Sequence, residues 1–144
     1  MIRPVNSQVR PLLQYKTSAA CKKGQVAVMA NGLALPAAEG LVAAATVVGV
    51  FAEDAASGAV SYIYPADQPF EFEFYQGSTV DEGTLAMQGV LYDLYVDGAA
   101  GDGSAEGEMY LDLNDTGGAF IALSSYDNKR RVGIGNFLKA SLYL

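Results

Sequence analysis

Phe70-Glu71-Phe72-Glu73-Phe74 alternates without a break. In a strand, successive side chains point to opposite faces, so three phenylalanines share one face and two glutamates the other. A helix would scatter the same five residues around its axis. The stretch reads as a half-buried β-strand whose apolar face lies on a core.

Working outward, the same kind of signal recurs. Upstream, Gln25–Met29 and Leu33–Pro36 flank Ala30-Asn31-Gly32, where Asn-Gly suits the positive-φ positions of a tight hairpin. Thr46–Ala52 is β-branched and aromatic, Ser57-Gly58 turns it, and Ala59–Tyr64 returns. Downstream, strands are expected over Thr84–Met87, Val90–Val96, Met109–Leu113, Ala119–Ser124 and Val132–Leu144. Tyr126–Arg131 reads as a polar turn, and Gly133 and Gly135 mark a bulge or a close backbone approach. One helical candidate covers 37–45, after Pro36. Roughly nine to eleven short strands at about 8–12-residue spacing predict an all-β fold, a β-sandwich or β-barrel of short antiparallel strands. Sixteen glycines in 144 residues agree with a chain built from turns.

Residues 1–23 read differently. Pro4 and Pro11 forbid a continuous helix, and the segment carries five basic residues. The expected organisation is an extended basic N-terminal arm over 1–23 and a β-rich body domain over 24–144. Val9, Leu12, Leu13 and Tyr15 would be the arm's apolar anchors.

Charge is segregated along the chain. All nine Lys and Arg lie before Gly24 or after Asn128, and all sixteen Asp and Glu lie from Glu39 to Asp127. The middle therefore has no Lys or Arg of its own to pair with. Its repulsion is relieved if the ends fold back on it or on a neighbouring copy; otherwise the ends dock on another acidic surface. So acidic a middle is repelled by phosphate, which argues against direct nucleic-acid binding.

Several chemistries lack their residues. With no histidine, the commonest general base and metal ligand is missing. Cys21 stands alone, so it forms no intrachain disulfide, and it reads as a small apolar residue. Glu71 and Glu73 sit two apart on one strand face, a spacing open to a glycosidase-like pair, though alternation alone predicts a solvated face. The 97–108 loop has Asp97 and Glu108 where a calcium loop has its first and last ligands. Ala99 and Gly101 occupy ligand positions between them, so a surface loop is expected there. Gly133-Ile134-Gly135 lacks the third glycine of a dinucleotide fingerprint. Neither an apolar run of about 18 residues nor a signal-peptide core is present, so the expectation is a protein made and folded in a cytoplasm. The nine tyrosines, most on or beside expected strands, suit sheet packing and interfaces. No cofactor, metal or catalytic residue is assigned.

Gly24-Gln25-Val26-Ala27-Val28, Val48-Gly49-Val50-Phe51-Ala52, the Tyr92-Asp93 step and Val132-Gly133-Ile134-Gly135 together resemble the small β-rich capsid decoration (cement) proteins of tailed bacteriophages. The likeness spreads over Thr17 to Leu144. It implies a non-enzymatic protein of the virion exterior that binds the major capsid protein lattice, stabilises the shell and self-associates as a homo-oligomer, with a trimer favoured. The expected partner-binding residues are Arg3, Arg10, Leu12, Leu13, Tyr15, Lys16, Lys22 and Lys23. Lys129, Arg130 and Arg131 are the expected subunit contacts. Membrane and nucleic acid are not expected partners. The competing readings are a carbohydrate- or cation-binding β-module for host-surface adhesion, and another minor head or tail structural protein.

Overall fold

The computed structural model describes residues 1–6, 11–38, 46–76, 82–97, 107–116 and 121–138. The Phe/Glu alternation becomes a strand whose three phenylalanines are fully buried and whose two glutamates reach the surface. Among the described residues, ten other strands join it. In chain order they are β1 (Arg3–Pro4), β2 (Leu13–Lys16), β3 (Val26–Ala30), β4 (Leu33–Pro36), β5 (Thr46–Phe51), β6 (Val60–Pro65), β7 (Phe70–Glu73), β8 (Leu91–Val96), β9 (Met109–Asp112), β10 (Ile121–Asp127) and β11 (Val132–Phe137). They form two antiparallel sheets, one curled into a half-barrel. One sheet has the order β1-β7-β11-β10-β8-β9, and the other β2-β6-β5-β3-β4.

In the five-stranded sheet the outer strands β2 and β4 approach one another at one end, and in the six-stranded sheet β7, next to the edge strand β1, approaches the outer strand β9. Phe74, just past β7, makes a parallel bridge to Leu111 of β9, and Thr17, just past β2, makes one to Ala34 of β4. Such curling shortens the row of unpaired backbone groups that an open edge presents.

The register explains the glycines of β11. Gly133 and Gly135 pair opposite Phe72 and Phe70. A Cβ on Gly133 would lie 2.5 Å from Leu123 Cδ1 and 2.8 Å from Phe74 Cε1, and one on Gly135 would lie 2.8 Å from the Ala122 carbonyl oxygen, so these neighbours occupy the space a side chain would need. Phe137, two residues beyond Gly135, packs edge-on against Phe70 and Phe72 with ring centroids 5.4 and 5.7 Å away. Val26, Val28, Val47 and Val50 of the second sheet complete this core. A smaller core lies on the other face of the second sheet, around Ala27, Val48, Phe51, Ile63 and the buried Cys21.

Most expected strands are present with shifted ends. Asn31 and Gly32 adopt φ of 52° and 77°, as the β3–β4 hairpin requires. Two expectations change. Leu85–Met87 is a single 3-10 turn instead of a strand. β10 runs on to Asp127, through the expected start of a turn, because Ser125, Tyr126 and Asp127 still find partners on β11. The helix expected over 37–45 lies outside the described residues from 39 onward.

The separate N-terminal arm is not confirmed. Arg3–Pro4 pairs with Glu71 and Phe70, and Leu13–Lys16 pairs with β6 from Ile63 to Val60. Proline blocks a helix, but it is tolerated on an edge strand, which is where Pro4 sits. Ile2 is only 1% exposed, packed in the main core. Leu13 and Tyr15 pack against the smaller core, so these two expected anchors face inward. Accordingly, Ile2→Ala should lower folding stability by about 2–4 kcal/mol, the usual cost of emptying a buried isoleucine site. Chemical denaturation checks this, and an unchanged midpoint would restore the free arm.

Candidate functional site

The outer face of β7 collects the charged ends of the chain. Alternation sends Glu71 and Glu73 to the face opposite the phenylalanines. Pairing with β1 brings Arg3 beside Glu71, with Nε and Nη2 donating to Oε1 over 3.1 and 2.7 Å. The β10–β11 turn brings Arg130 to the same carboxylate, with Nη2 donating to Oε1 at 2.9 Å. The terminal ammonium of Met1 pairs with Glu73. Cations from both ends of the chain therefore meet on two consecutive outward glutamates of the middle. This is the fold-back that the charge pattern allowed.

Burial alone would raise the Glu71 pKa, but the hydrogen bonds from Arg3 and Arg130 outweigh it and hold the carboxyl below its ordinary value. A glycosidase-like pair needs one carboxyl that keeps its proton near neutral pH, and two guanidinium groups oppose that at Glu71.

The turn that carries Arg130 is fixed by its acidic and amide residues. Asp127 Oδ1 accepts from the backbone N–H groups of Lys129 and Arg130 at 3.1 and 3.2 Å. The Asn128 amide clamps Gly83, accepting from its N–H at 2.8 Å and donating to its carbonyl at 2.9 Å. Arg131 takes φ of 57°, and its carbonyl accepts from the Phe74 N–H at 3.0 Å.

Beyond Glu73 the strand leads into a cleft of about 430 Å³. Its walls include Glu73, Tyr75 and Gln76 from the end of β7, Asp97 and Tyr110 from the β8–β9 hairpin, and Arg130 and Arg131 from the β10–β11 turn. Tyr95 and Tyr110 are cross-strand partners, and Tyr75 stacks on Tyr95 with centroids 3.6 Å apart and planes 19° apart. Tyr110 tilts against both at 6.4 Å. Its hydroxyl donates to Glu108 Oε2 at 2.7 Å. Burial first, and then Glu108, push the Tyr110 pKa upward, so the phenol keeps its proton. A second hollow of about 150 Å³, lined by Met1, Arg3, Glu71, Glu73, Arg130 and Val132, shares Glu73 and Arg130 with the first.

The sequence-derived contact residues disperse. Arg3 and Arg130 are engaged with Glu71. Arg131 is half-buried on the cleft wall. Leu12, Lys16, Lys22, Lys23 and Lys129 are exposed, while Leu13 and Tyr15 turn inward. Arg10 lies outside the described residues, as does 98–106 of the loop weighed for calcium. That loop's base is described: Asp97 and Glu108 are hydrogen-bonded neighbours, with Asp97 N–H donating to the Glu108 carbonyl at 2.8 Å. Among the described residues, no group of three or more His, Cys, Asp or Glu is placed to hold a metal ion, and no helix is long and apolar enough to cross a membrane. Burial, ahead of the nearby carboxylates, raises the Cys21 pKa and keeps it a thiol.

The tyrosine cluster is what residue-by-residue reading missed. The signal was present in part, because the β7 alternation continues through Glu71, Glu73 and Tyr75. No family model matches the chain, and no curated protein matches it.

Glu71→Gln should cost about 1–2 kcal/mol at neutral pH. Charge-assisted hydrogen bonds are worth more than neutral ones, but both guanidiniums are more than half exposed and are discounted for screening. A depressed folded-state pKa contributes stability that is present above the unfolded value of about 4.3 and is lost as pH falls through the folded value. The gap between wild type and variant in urea titrations should therefore close in acid. A gap independent of pH would remove the carboxylate from the account.

Proposed function

We propose that this chain is a non-enzymatic virion structural protein, a capsid decoration protein that binds the exterior of the shell and stabilises it as a homo-oligomer. The supporting observation is a patch beside the β2 edge of the second sheet. Leu12 is 41% and Val60 53% exposed, and Lys16 pairs in register with Val60. Gln14 and its partner Tyr62 share that face, since Leu13 and Tyr15 alternate to the other. Exposed aliphatic groups with a tyrosine and a lysine form a surface suited to an acidic protein partner.

The fold-back narrows where attachment acts. Arg3 and Arg130 are committed to Glu71, so among the described residues Lys16 on this patch, and Lys23 and Lys129 elsewhere on the surface, are exposed cations for the lattice. The resemblance to phage decoration proteins supplies the partner class, and the curled all-β body is in keeping with it.

The test is co-sedimentation with shells assembled from the major capsid protein of the same genome. Wild type should pellet with the shells, and less so as salt rises from about 0.05 to 0.5 M, because exposed charge pairs are screened. The double variant Lys16→Glu with Val60→Asp should stay folded and remain in the supernatant. Undiminished pelleting of that variant would overturn this surface, and failure of wild type to pellet would overturn the function. Light scattering should report three times the 15.1 kDa chain mass.

A further inference from the structure

We infer that the cleft bounded by Glu73, Tyr75, Asp97, Tyr110, Arg130 and Arg131 is a binding site for a neutral oligosaccharide. Its volume of about 430 Å³ falls in the range of small-ligand sites. Its lining decides the ligand class. An anion would meet Arg130 and Arg131 but also the carboxylates of Glu73 and Asp97. A cation would meet the reverse. A polyhydroxyl ligand is suited to both, because every hydroxyl donates and accepts at once. Asp97 and Glu73 would accept from sugar hydroxyls, while Gln76 and Arg131 would donate to them.

Tyrosine supplies the other half of the recognition. A pyranose ring presents C–H groups on its faces, and an aromatic side chain offers these a large apolar surface at little cost in conformational freedom. Tyr75 and Tyr110 line the cleft, and their packing with each other and with Tyr95 holds the rings in place. The protonated Tyr110 hydroxyl is bound to Glu108, which fixes its direction.

The walls are also preformed. Tyr95 and Tyr110 stand on paired strands, and the Asn128 clamp on Gly83 fixes the turn bearing the arginines. The Gln25 amide donates to the Gly107 carbonyl at 2.7 Å and holds the strand entering β9. The adjoining hollow of about 150 Å³ extends the groove past Glu73 and Arg130, which suits a ligand of more than one ring. This inference does not rest on capsid attachment. It uses another sheet and other residues, so either can fail alone.

The experiment is saturation-transfer NMR on the intact chain with maltotriose, cellotriose and chitotriose at about 5 mM, with a sialylated lactose as the acidic arm. At least one neutral trisaccharide should receive transfer and bind more tightly than the sialylated sugar. Tyr110→Ala and the near-isosteric Asp97→Asn should each weaken that binding about tenfold, with circular dichroism confirming the fold. Absence of transfer to every neutral sugar would overturn the inference. So would a preference for the acidic sugar, or full-strength binding by folded Asp97→Asn.

Discussion

The inward packing of Phe70, Phe72 and Phe74 against β11, with the Phe74 ring in the space left by Gly133, is the constraint on which the rest of the molecule depends. It places β7 beside β11, and it fixes which face of β7 is wet. Once three aromatic rings are committed inward, Glu71 and Glu73 have no choice of side, because the strand period is two. A slip of one residue would bury both carboxylates and expose all three rings. Register here is therefore held by a large apolar term on one face and a charge term on the other, acting in the same direction.

That outward face resolves the segregation of charge along the chain. An acidic middle without Lys or Arg can be neutralised only by the ends. The fold brings them in as an edge strand on one side of β7 and a turn on the other. Arg3 and Arg130 flank one carboxylate, and the Met1 ammonium takes the next. Individually these are exposed ion pairs of small worth. Their value lies in direction: they favour docking of β1, and docking of β1 sets Ile2 into the core. The apolar contact supplies most of the stability, and the ion pairs select where it is made.

Strand identity was legible wherever alternation or a strong turn marked it, as in Phe70–Phe74 and Asn31-Gly32. Ends were less legible, because pairing continues as long as a partner strand offers hydrogen bonds. β10 shows this by running to Asp127 against β11. The N-terminal segment misled for a physical reason. Proline and lysine exclude a helix and a central strand, and they suit an edge strand as well as a free arm. The tyrosine cluster was hidden because it joins residues up to 35 positions apart whose proximity comes from curling. Only the bridge from Phe74 to Leu111 sets Tyr75 beside the β8–β9 hairpin.

Arg130 links these features. It neutralises Glu71 from one side, and it stands at the junction of the two hollows. With Arg3 in place, the Glu71 carboxylate is shared between two guanidinium groups. Without Arg3 the whole charge would fall to Arg130, drawing it more firmly toward Glu71 and away from the cleft. The electrostatic balance of the cleft lining therefore depends on the docking of a two-residue strand at the far edge of β7. Through this path the segregation of charge in the sequence reaches the chemistry of the site.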